Sequence, residues 1–140
     1  MQRCSLMNKF HIYDGEVEKS VFNDSRGRIA DVFYNVKIDH VAFITSTPGA
    51  IRGNHYHEHS VQHILITAGS LEYWYADRNN LADSKFIVAE VGDLITSAAN
   101  EVHALRILDQ GCDFVAFSEG QRGGQDYESD TFRVESIIKG

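Results

Sequence analysis

Residues 49–69 read GAIRGNHYHEHSVQHILITAG and hold four of the chain's seven histidines. His55 and His57 are separated by one residue in a segment of extended character, so both imidazoles project from the same face of one strand. Burying two neutral imidazoles side by side without partners is costly. This spacing therefore predicts a ligand or catalytic site rather than a pair of core residues.

The same face is joined by residues farther along the chain. Alternation in the next segment puts Gln62 on the side of Ile64 and sends His63 to the opposite face. His103 heads a later run, in which it shares a face with Leu105. We therefore expect the two motif histidines, His103 and the side-chain amide of Gln62 to converge inside the molecule.

These side chains form a donor set for a metal. Imidazole is a borderline ligand that suits zinc, nickel or iron, and an oxygen donor beside three histidines leaves positions for water or substrate. The sequence thus predicts a divalent transition metal, of unspecified identity, held by His55, His57, Gln62 and His103. The remaining histidines receive other roles: satisfied core residues for His11 and His40, and surface or neighbouring positions for His59 and His63.

The rest of the chain has the character of strands. Short runs with period-two alternation, rich in β-branched and aromatic residues, recur between turn residues, and this predicts an all-β antiparallel sandwich or barrel. Turns are expected at 48–49, 69–70, 92–93 and 109–111. The predicted strands are 10–13, 29–33, 41–45, 51–57, 61–68, 71–76, 86–90, 94–96, 103–108, 112–117 and 132–138.

Composition limits the class of protein. The chain has 140 residues, of which 43% are hydrophobic and 24% charged, and this fits a single soluble domain over 1–140. A net charge of −7 excludes a nucleic-acid partner. No stretch approaches the roughly 20 apolar residues of a membrane helix, and the start lacks the apolar run of a secretory signal. The expected location is the cytoplasm, with Cys4 and Cys112 as reduced, buried thiols.

Two further segments carry expectations. Residues 119–130, reading EGQRGGQDYESD, are polar and too long for a hairpin turn, which favours a solvated loop or a lid. Arg122 in this segment is a candidate contact for an anionic ligand. The apolar segment 70–76, SLEYWYA, is expected to be an exposed edge strand. Such an edge would need covering, which predicts a homodimer.

Two motifs in the chain resemble those of the cupin superfamily. In residues 49–69, Gly49, His55, His57 and Gly69 match the first cupin motif, while Gln62 stands where the motif has glutamate. The segment GDLITSAANEVH, residues 92–103, resembles the second motif, with alanine in place of its usual proline. The resemblance implies an RmlC-like jelly-roll fold, an antiparallel β-barrel.

The string PGAIRGNHYH narrows the resemblance to sugar-nucleotide cupins. It is similar to segments of dTDP-4-keto-6-deoxyhexose epimerases, of 3,4-ketoisomerases and of the cupin domains of capsule-assembly reductases. This likeness implies a nucleotide-sugar substrate, His55 as general base or metal ligand, and Arg52 as an anion contact. The family's acid tyrosines are absent, because Phe43 stands at one of their positions and no tyrosine follows the second motif before Tyr127. Tyr127 is therefore the candidate acid, and Tyr56, Tyr73 and Tyr75 are further phenols whose facing the sequence does not determine.

The function expected from these features is isomerisation or epimerisation of a nucleotide-activated keto-sugar in polysaccharide biosynthesis. That chemistry removes a proton next to a carbonyl, for which histidine has a suitable pKa, and it needs a group that stabilises the enolate oxygen. Two alternatives stay open at this level. One is a non-catalytic ligand-binding cupin, and the other is a metal-dependent dioxygenase that uses the same histidines.

Overall fold

A computed structural model describes residues 7–14, 21–120 and 128–140. Short 3₁₀ turns cover Leu81–Asp83 and Glu128–Asp130, and no helix in these ranges is long and apolar enough to cross a membrane. The strands are β1 Met7–His11, β2 Val21–Asp24, β3 Gly27–Ala30, β4 His40–Ser46, β5 Ile51–Tyr56, β6 Val61–Asp77, β7 Lys85–Glu90, β8 Asp93–Ser97, β9 Glu101–Glu119 and β10 Phe132–Arg133.

The strands β6 and β9 form one long antiparallel ribbon. The turns predicted at 69–70 and 109–111 were wrong, since both positions lie inside this ribbon. The ribbon bends there instead, because Gly69 and Gly111 both have φ of +74° and the pairing register shifts on either side of Gly69. Glycine adopts this backbone conformation at little steric cost.

The bent ribbon divides the pairings into two halves. In the first half, β6 pairs with β8 and β9 pairs with β4, while β8 pairs in turn with β1. In the second half, β6 pairs with β7 and β9 pairs with β5, while β5 pairs in turn with β10. Side chains from both halves make up the main core, among them Ile64, Ile95, Leu71 and Leu105. The two inner faces bury each other, as in a β-sandwich.

The sheet differs in one small respect from the closed barrel that the sequence predicts. Within the described ranges, β1 and β10 end the order of paired strands and do not pair with each other. The sheet is therefore open. Closure is not needed to cover the core, because the two halves of the bent sheet lie face to face.

The segment 70–76 is not an exposed edge, which corrects the prediction made for it. It lies in the second half of β6 and pairs with β7 on one side and β9 on the other. Leu71, Tyr73 and Trp74 are buried. Trp74 points away from the main core and packs with Ile137 in a second cluster. The predicted strand 132–138 accordingly ends at Arg133, and the chain beyond it covers this outer face.

Smaller differences concern the hairpin and the outlying histidines. The hairpin of β2 and β3 begins earlier than the strand predicted at 29–33. His11 and His40 are half-buried at strand ends rather than in the core. Cys112 is a buried free thiol, as predicted, whereas Cys4 lies outside the described residues. The assignment of 1–140 to a single domain stays a prediction.

Candidate active site

Three buried histidines meet between the two halves of the fold. The ligand atoms of His55, His57 and His103 all lie within 4.8 Å of one another. The ring of His55 lies 4.9 Å from that of His57 and 4.8 Å from that of His103, between centroids. The structure thus brings together the three histidines that the residue spacing predicts to converge.

A bulge in β5 brings His55 to His103. Gly53 and Asn54 have φ of +88° and +58°, and the register of β5 on β9 shifts between Gly53 and His55. A Cβ on Gly53 would lie 2.7 Å from the carbonyl oxygen of His103, so only glycine permits this approach. Bulges re-aim side chains in this way at functional sites. The R-G-N triplet before His55 therefore has a structural role in building the site.

His57 is fixed by contacts from two distant segments. Its Nδ1 lies 2.7 Å from the carbonyl oxygen of Asp130. A carbonyl only accepts hydrogen bonds, so Nδ1 carries the proton and Nε2 is the nitrogen left for the cluster. The backbone N–H of Asn100 donates to the carbonyl of His57 at 2.6 Å.

Two of the histidines, His55 and His103, line a cavity of about 300 Å³, which is at the lower end of the range for ligand pockets. Two exposed arginines, Arg52 and Arg133, line it on the solvent side. Arg52 donates from Nε to the Ser46 hydroxyl at 2.7 Å and from Nη2 to the Thr45 carbonyl at 3.0 Å. The other polar side chains that line the cavity are His55, Gln62, Tyr73, Ser97 and His103.

Tyr73 supplies a phenol that sequence reasoning had not placed. Its hydroxyl forms a short hydrogen bond with the Ser97 hydroxyl, and its ring stacks on that of His103 with centroids 6.3 Å apart. Burial raises the pKa of Tyr73 far above its ordinary value, and the nearby charge of Glu101 adds to the effect. The phenol therefore keeps its proton at neutral pH.

Glu101 is a second buried acid that the sequence did not single out. It lies two residues before His103 on β9 and is 2% exposed. Burial raises the pKa of its carboxyl to about 8, so this group is mostly protonated at neutral pH. Its Oε1 has no hydrogen-bond partner among the residues that the structure describes.

His63 lies on the opposite face of β6, as its parity predicts. Its Nδ1 is 2.8 Å from the Thr96 hydroxyl and its Nε2 is 2.6 Å from a carboxylate oxygen of Glu119. Its ring packs edge-on against Phe33. His59 is exposed. The candidate acid Tyr127 and the candidate anion contact Arg122 both lie outside the described residues.

The donor set fits a transition metal. Bonds of about 2.1 Å place the ligands of one tetrahedral ion roughly 3–4 Å apart, and the three imidazoles meet this distance within small side-chain movements. The proton on His57 Nδ1 is held by a backbone carbonyl, which is the usual outer partner of a metal-binding histidine. Gln62 lines the same cavity and offers an amide oxygen.

Solved structures with a similar fold include 3,4-ketoisomerases and epimerases. A 3,4-ketoisomerase from Helicobacter canadensis is 18% identical, with a TM-score of 0.72 over 91% of this chain and 90% of that one. A sugar 3,4-ketoisomerase from Thermoanaerobacterium thermosaccharolyticum, solved with TDP, is 15% identical, with a TM-score of 0.70 over 92% and 88%. The dTDP-4-dehydrorhamnose 3,5-epimerase from Sulfolobus tokodaii is 17% identical, with a TM-score of 0.67 over 86% and 76%. At these identities the likeness establishes the fold, which is that of the RmlC-like cupins.

Sequence comparison adds a family. No curated protein sequence matches the chain. The model of the polysaccharide biosynthesis C-terminal domain matches residues 22–97, which is more than half of the chain and includes His55, His57 and Gln62. With the first cupin motif inside the matched region and the RmlC-like fold around it, the chain belongs to the polysaccharide biosynthesis C-terminal domain family.

Proposed function

We propose that this protein isomerises or epimerises a nucleotide-activated keto-sugar in polysaccharide biosynthesis. The observation that carries the proposal is the composition of one cavity, in which His55 and the phenol of Tyr73 lie below the two exposed arginines. A base, an acid and an anion-binding group are the parts that proton transfer on such a substrate needs. The fold shared with ketoisomerases and epimerases supports the same reaction class.

The proton chemistry falls to His55 and Tyr73. His55 lines the cavity and accepts the proton from the carbon next to the substrate carbonyl, since a neutral imidazole is a competent base near pH 7. The imidazolium then returns a proton to a carbon of the enolate, which gives the isomeric ketone and regenerates the neutral base. Tyr73 keeps its proton and donates a hydrogen bond to the developing enolate oxygen, with Ser97 as its relay partner. A hydrogen-bond donor stabilises the negative charge that develops on the enolate oxygen most strongly in a site from which water is excluded.

A divalent zinc, nickel or iron ion would be held by His55, His57 and His103 with Gln62 as the oxygen donor. When bound, the ion polarises a carbonyl as a Lewis acid. Coordination uses the lone pair that a base needs, so His55 is either a ligand or the base in any one molecule. The metal content of the purified protein decides between these roles.

The two arginines would bind the diphosphate of the nucleotide sugar. A cavity of about 300 Å³ accommodates the sugar ring but not a whole nucleotide sugar, so the diphosphate would lie at the solvent side. Arg52 is held there by Ser46 and Thr45, which fixes its guanidinium for an anion and leaves further N–H groups free to donate. Arg133 completes the pair.

Solvent exchange tests this proposal. TDP-4-keto-6-deoxyglucose incubated in D₂O with the protein is expected to gain deuterium next to its carbonyl, as read by mass spectrometry. Tyr73→Phe is expected to slow this exchange by about 10²–10⁴-fold, the usual contribution of a positioned acid. Tyr75→Phe is the matched control, because Tyr75 lies on the same strand but outside the cavity lining.

Other outcomes would replace the proposal. Stabilisation by TDP-sugars without any exchange, across a panel of keto-sugars, would identify a binding cupin. Substrate-dependent oxygen uptake by the metal-loaded protein would identify a dioxygenase. Exchange that is equally fast in Tyr73→Phe would remove Tyr73 from the reaction while leaving the isomerase in place.

We also propose that the protein is a homodimer. Val41 and Phe43 on β4 are 58% and 64% exposed, and β4 pairs only with β9 among the described strands. An exposed apolar edge strand is a template for pairing with another chain, and a second copy of this protein would cover it. Light scattering at micromolar concentration is expected to give twice the monomer mass, and Phe43→Lys is expected to halve it. A wild-type monomer at this concentration would contradict the proposal.

A further inference from the structure

We propose that Asp130 is the positioning residue of the histidine site, which sets the tautomer of His57 and so presents Nε2 to whatever binds there. The inference depends on the histidine cluster as a site but not on the reaction assigned to it. Asp130 lies outside both cupin motifs and 73 residues from His57 in the chain. It ends the 3₁₀ turn Glu128–Asp130, two residues before β10 begins.

The carboxylate of Asp130 is seated on the backbone that follows His57. One oxygen accepts the N–H of Glu58 at 2.8 Å, and the other accepts the N–H groups of His59 and Ser60, each at 3.0 Å. The Ser60 hydroxyl donates to the same oxygen at 3.1 Å. Successive backbone N–H groups around one anion form a nest, which binds a carboxylate in preference to a neutral side chain.

The backbone of the same residue holds the imidazole. The carbonyl of Asp130 accepts the Nδ1–H of His57 at 2.7 Å, inside a region where Asp130 is 7% exposed and His57 2%. The side chain of Asp130 therefore anchors the loop, and its carbonyl orients the ring. An isolated neutral histidine has no such fixed tautomer, so the ring depends on this contact for its orientation.

The charge state of Asp130 agrees with this role. Burial works to raise the pKa of its carboxyl, but the hydrogen bonds from Glu58, His59 and Ser60 outweigh it and hold the pKa below the ordinary value. The group is therefore ionised at neutral pH. An anion in the nest is what the three N–H groups require.

The hydrogen bonds of Asp130 also hold the residues that follow it beside the histidine site. Phe132 stacks on Tyr56 with centroids 5.3 Å apart, and Arg133 pairs with His55 across β10 and β5. Arg133 lines the cavity. Asp130 thus orients His57 through its carbonyl, anchors the loop after His57 through its carboxylate, and lies three residues before an arginine of the proposed anion site.

The test uses Asp130→Asn, with Asp93→Asn as its matched control. Asp93 is another buried aspartate whose carboxylate accepts a backbone N–H, from Glu90 at 2.8 Å, and it lies at the end of β8 away from Ser97. Asp130→Asn keeps the shape of the side chain but turns an amide N–H₂ toward N–H donors. A loss of stability alone would affect both variants.

The first readout is the tautomer of His57 in metal-free protein, measured by long-range ¹H–¹⁵N NMR. Wild type and Asp93→Asn are expected to show only the Nδ1–H form, whereas Asp130→Asn is expected to show a mixture with Nε2–H. The second readout is the Zn²⁺ affinity, which is expected to fall about 10–100-fold in Asp130→Asn, as is usual for an outer partner of a ligand histidine. It is expected to stay unchanged in Asp93→Asn.

The proposal is overturned if folded Asp130→Asn keeps a pure Nδ1–H tautomer at His57. If Asp130→Asn does not fold, Ser60→Ala removes one of the hydrogen bonds to the same oxygen, and a partial shift of the tautomer is then expected. No shift in Ser60→Ala would then overturn the proposal. Because the tautomer is read without metal or substrate, the proposal stands or falls independently of the reaction and of zinc binding.

Discussion

The purified protein is expected to carry about one transition-metal ion per chain, and changing both His55 and His57 to alanine is expected to abolish this binding. Both side chains belong to the buried cluster, together with His103. The free energy of zinc binding to a structural site is about 10–16 kcal/mol. Divided over four ligands this is roughly 3 kcal/mol for each, which corresponds to about 100-fold in affinity. Two lost ligands thus correspond to about 10⁴-fold.

Elemental analysis of protein purified without added metal measures this effect, and competition with a zinc chelator gives the affinity. His59→Ala is the control, since His59 lies two residues beyond His57 and its side chain is exposed. Equal metal content in the wild type and the double variant would refute the site. A wild type that takes up neither zinc, nickel nor iron would instead favour the metal-independent reaction, with His55 as the base.

The histidine site was predictable from the sequence because it depends on local alternation. His55 and His57 share a face in any extended segment, and Gln62 lies on the same face as Ile64 because β6 is regular between them. Alternation also placed His103 on the face of Leu105, the second cupin motif matched it, and the structure pairs it with His55 across β5 and β9. Local rules and family motifs therefore agreed at these four positions.

Tyr73 escaped prediction because the ribbon changes parity at its bend. On β6 the core receives Ile64 and Ile66 before Gly69, but Leu71 and Tyr73 after it. The register shifts on either side of Gly69 change the face by one residue. No periodicity in the sequence reports such a shift, so the facing of Tyr73 follows only from the three-dimensional structure.

Asp130 escaped prediction for a different reason. Its carboxylate bonds to backbone N–H groups 70 to 72 residues away, and backbone donors have no signature in the sequence. The exposed-edge prediction for 70–76 was wrong because the segment pairs with β7 on one side and β9 on the other, and Ile137 also packs on its outer face. Contacts of this range depend on the fold as a whole.

The bend that changes the parity leads to the largest stability effect that we expect. Gly69→Ala would place a Cβ 1.9 Å from the carbonyl oxygen of Gly111 and 3.1 Å from the Cα of Cys112. These are backbone atoms of the partner strand, so the clash is relieved only by opening the ribbon that joins both halves of the fold. We expect a loss of more than about 4 kcal/mol, an exceptional value for one substitution and a large share of the usual 5–15 kcal/mol.

Gly49→Ala is the control that separates this clash from backbone strain. Gly49 also has a positive φ, +81°, but a Cβ there would meet nothing within 4 Å. Its cost is therefore the left-handed conformation alone, about 1–2 kcal/mol. Urea unfolding followed by circular dichroism measures both variants. If Gly69→Ala lost no more stability than Gly49→Ala, β6 and β9 would not approach as closely as described, and the parity change that turns Tyr73 toward His103 would lose its structural basis.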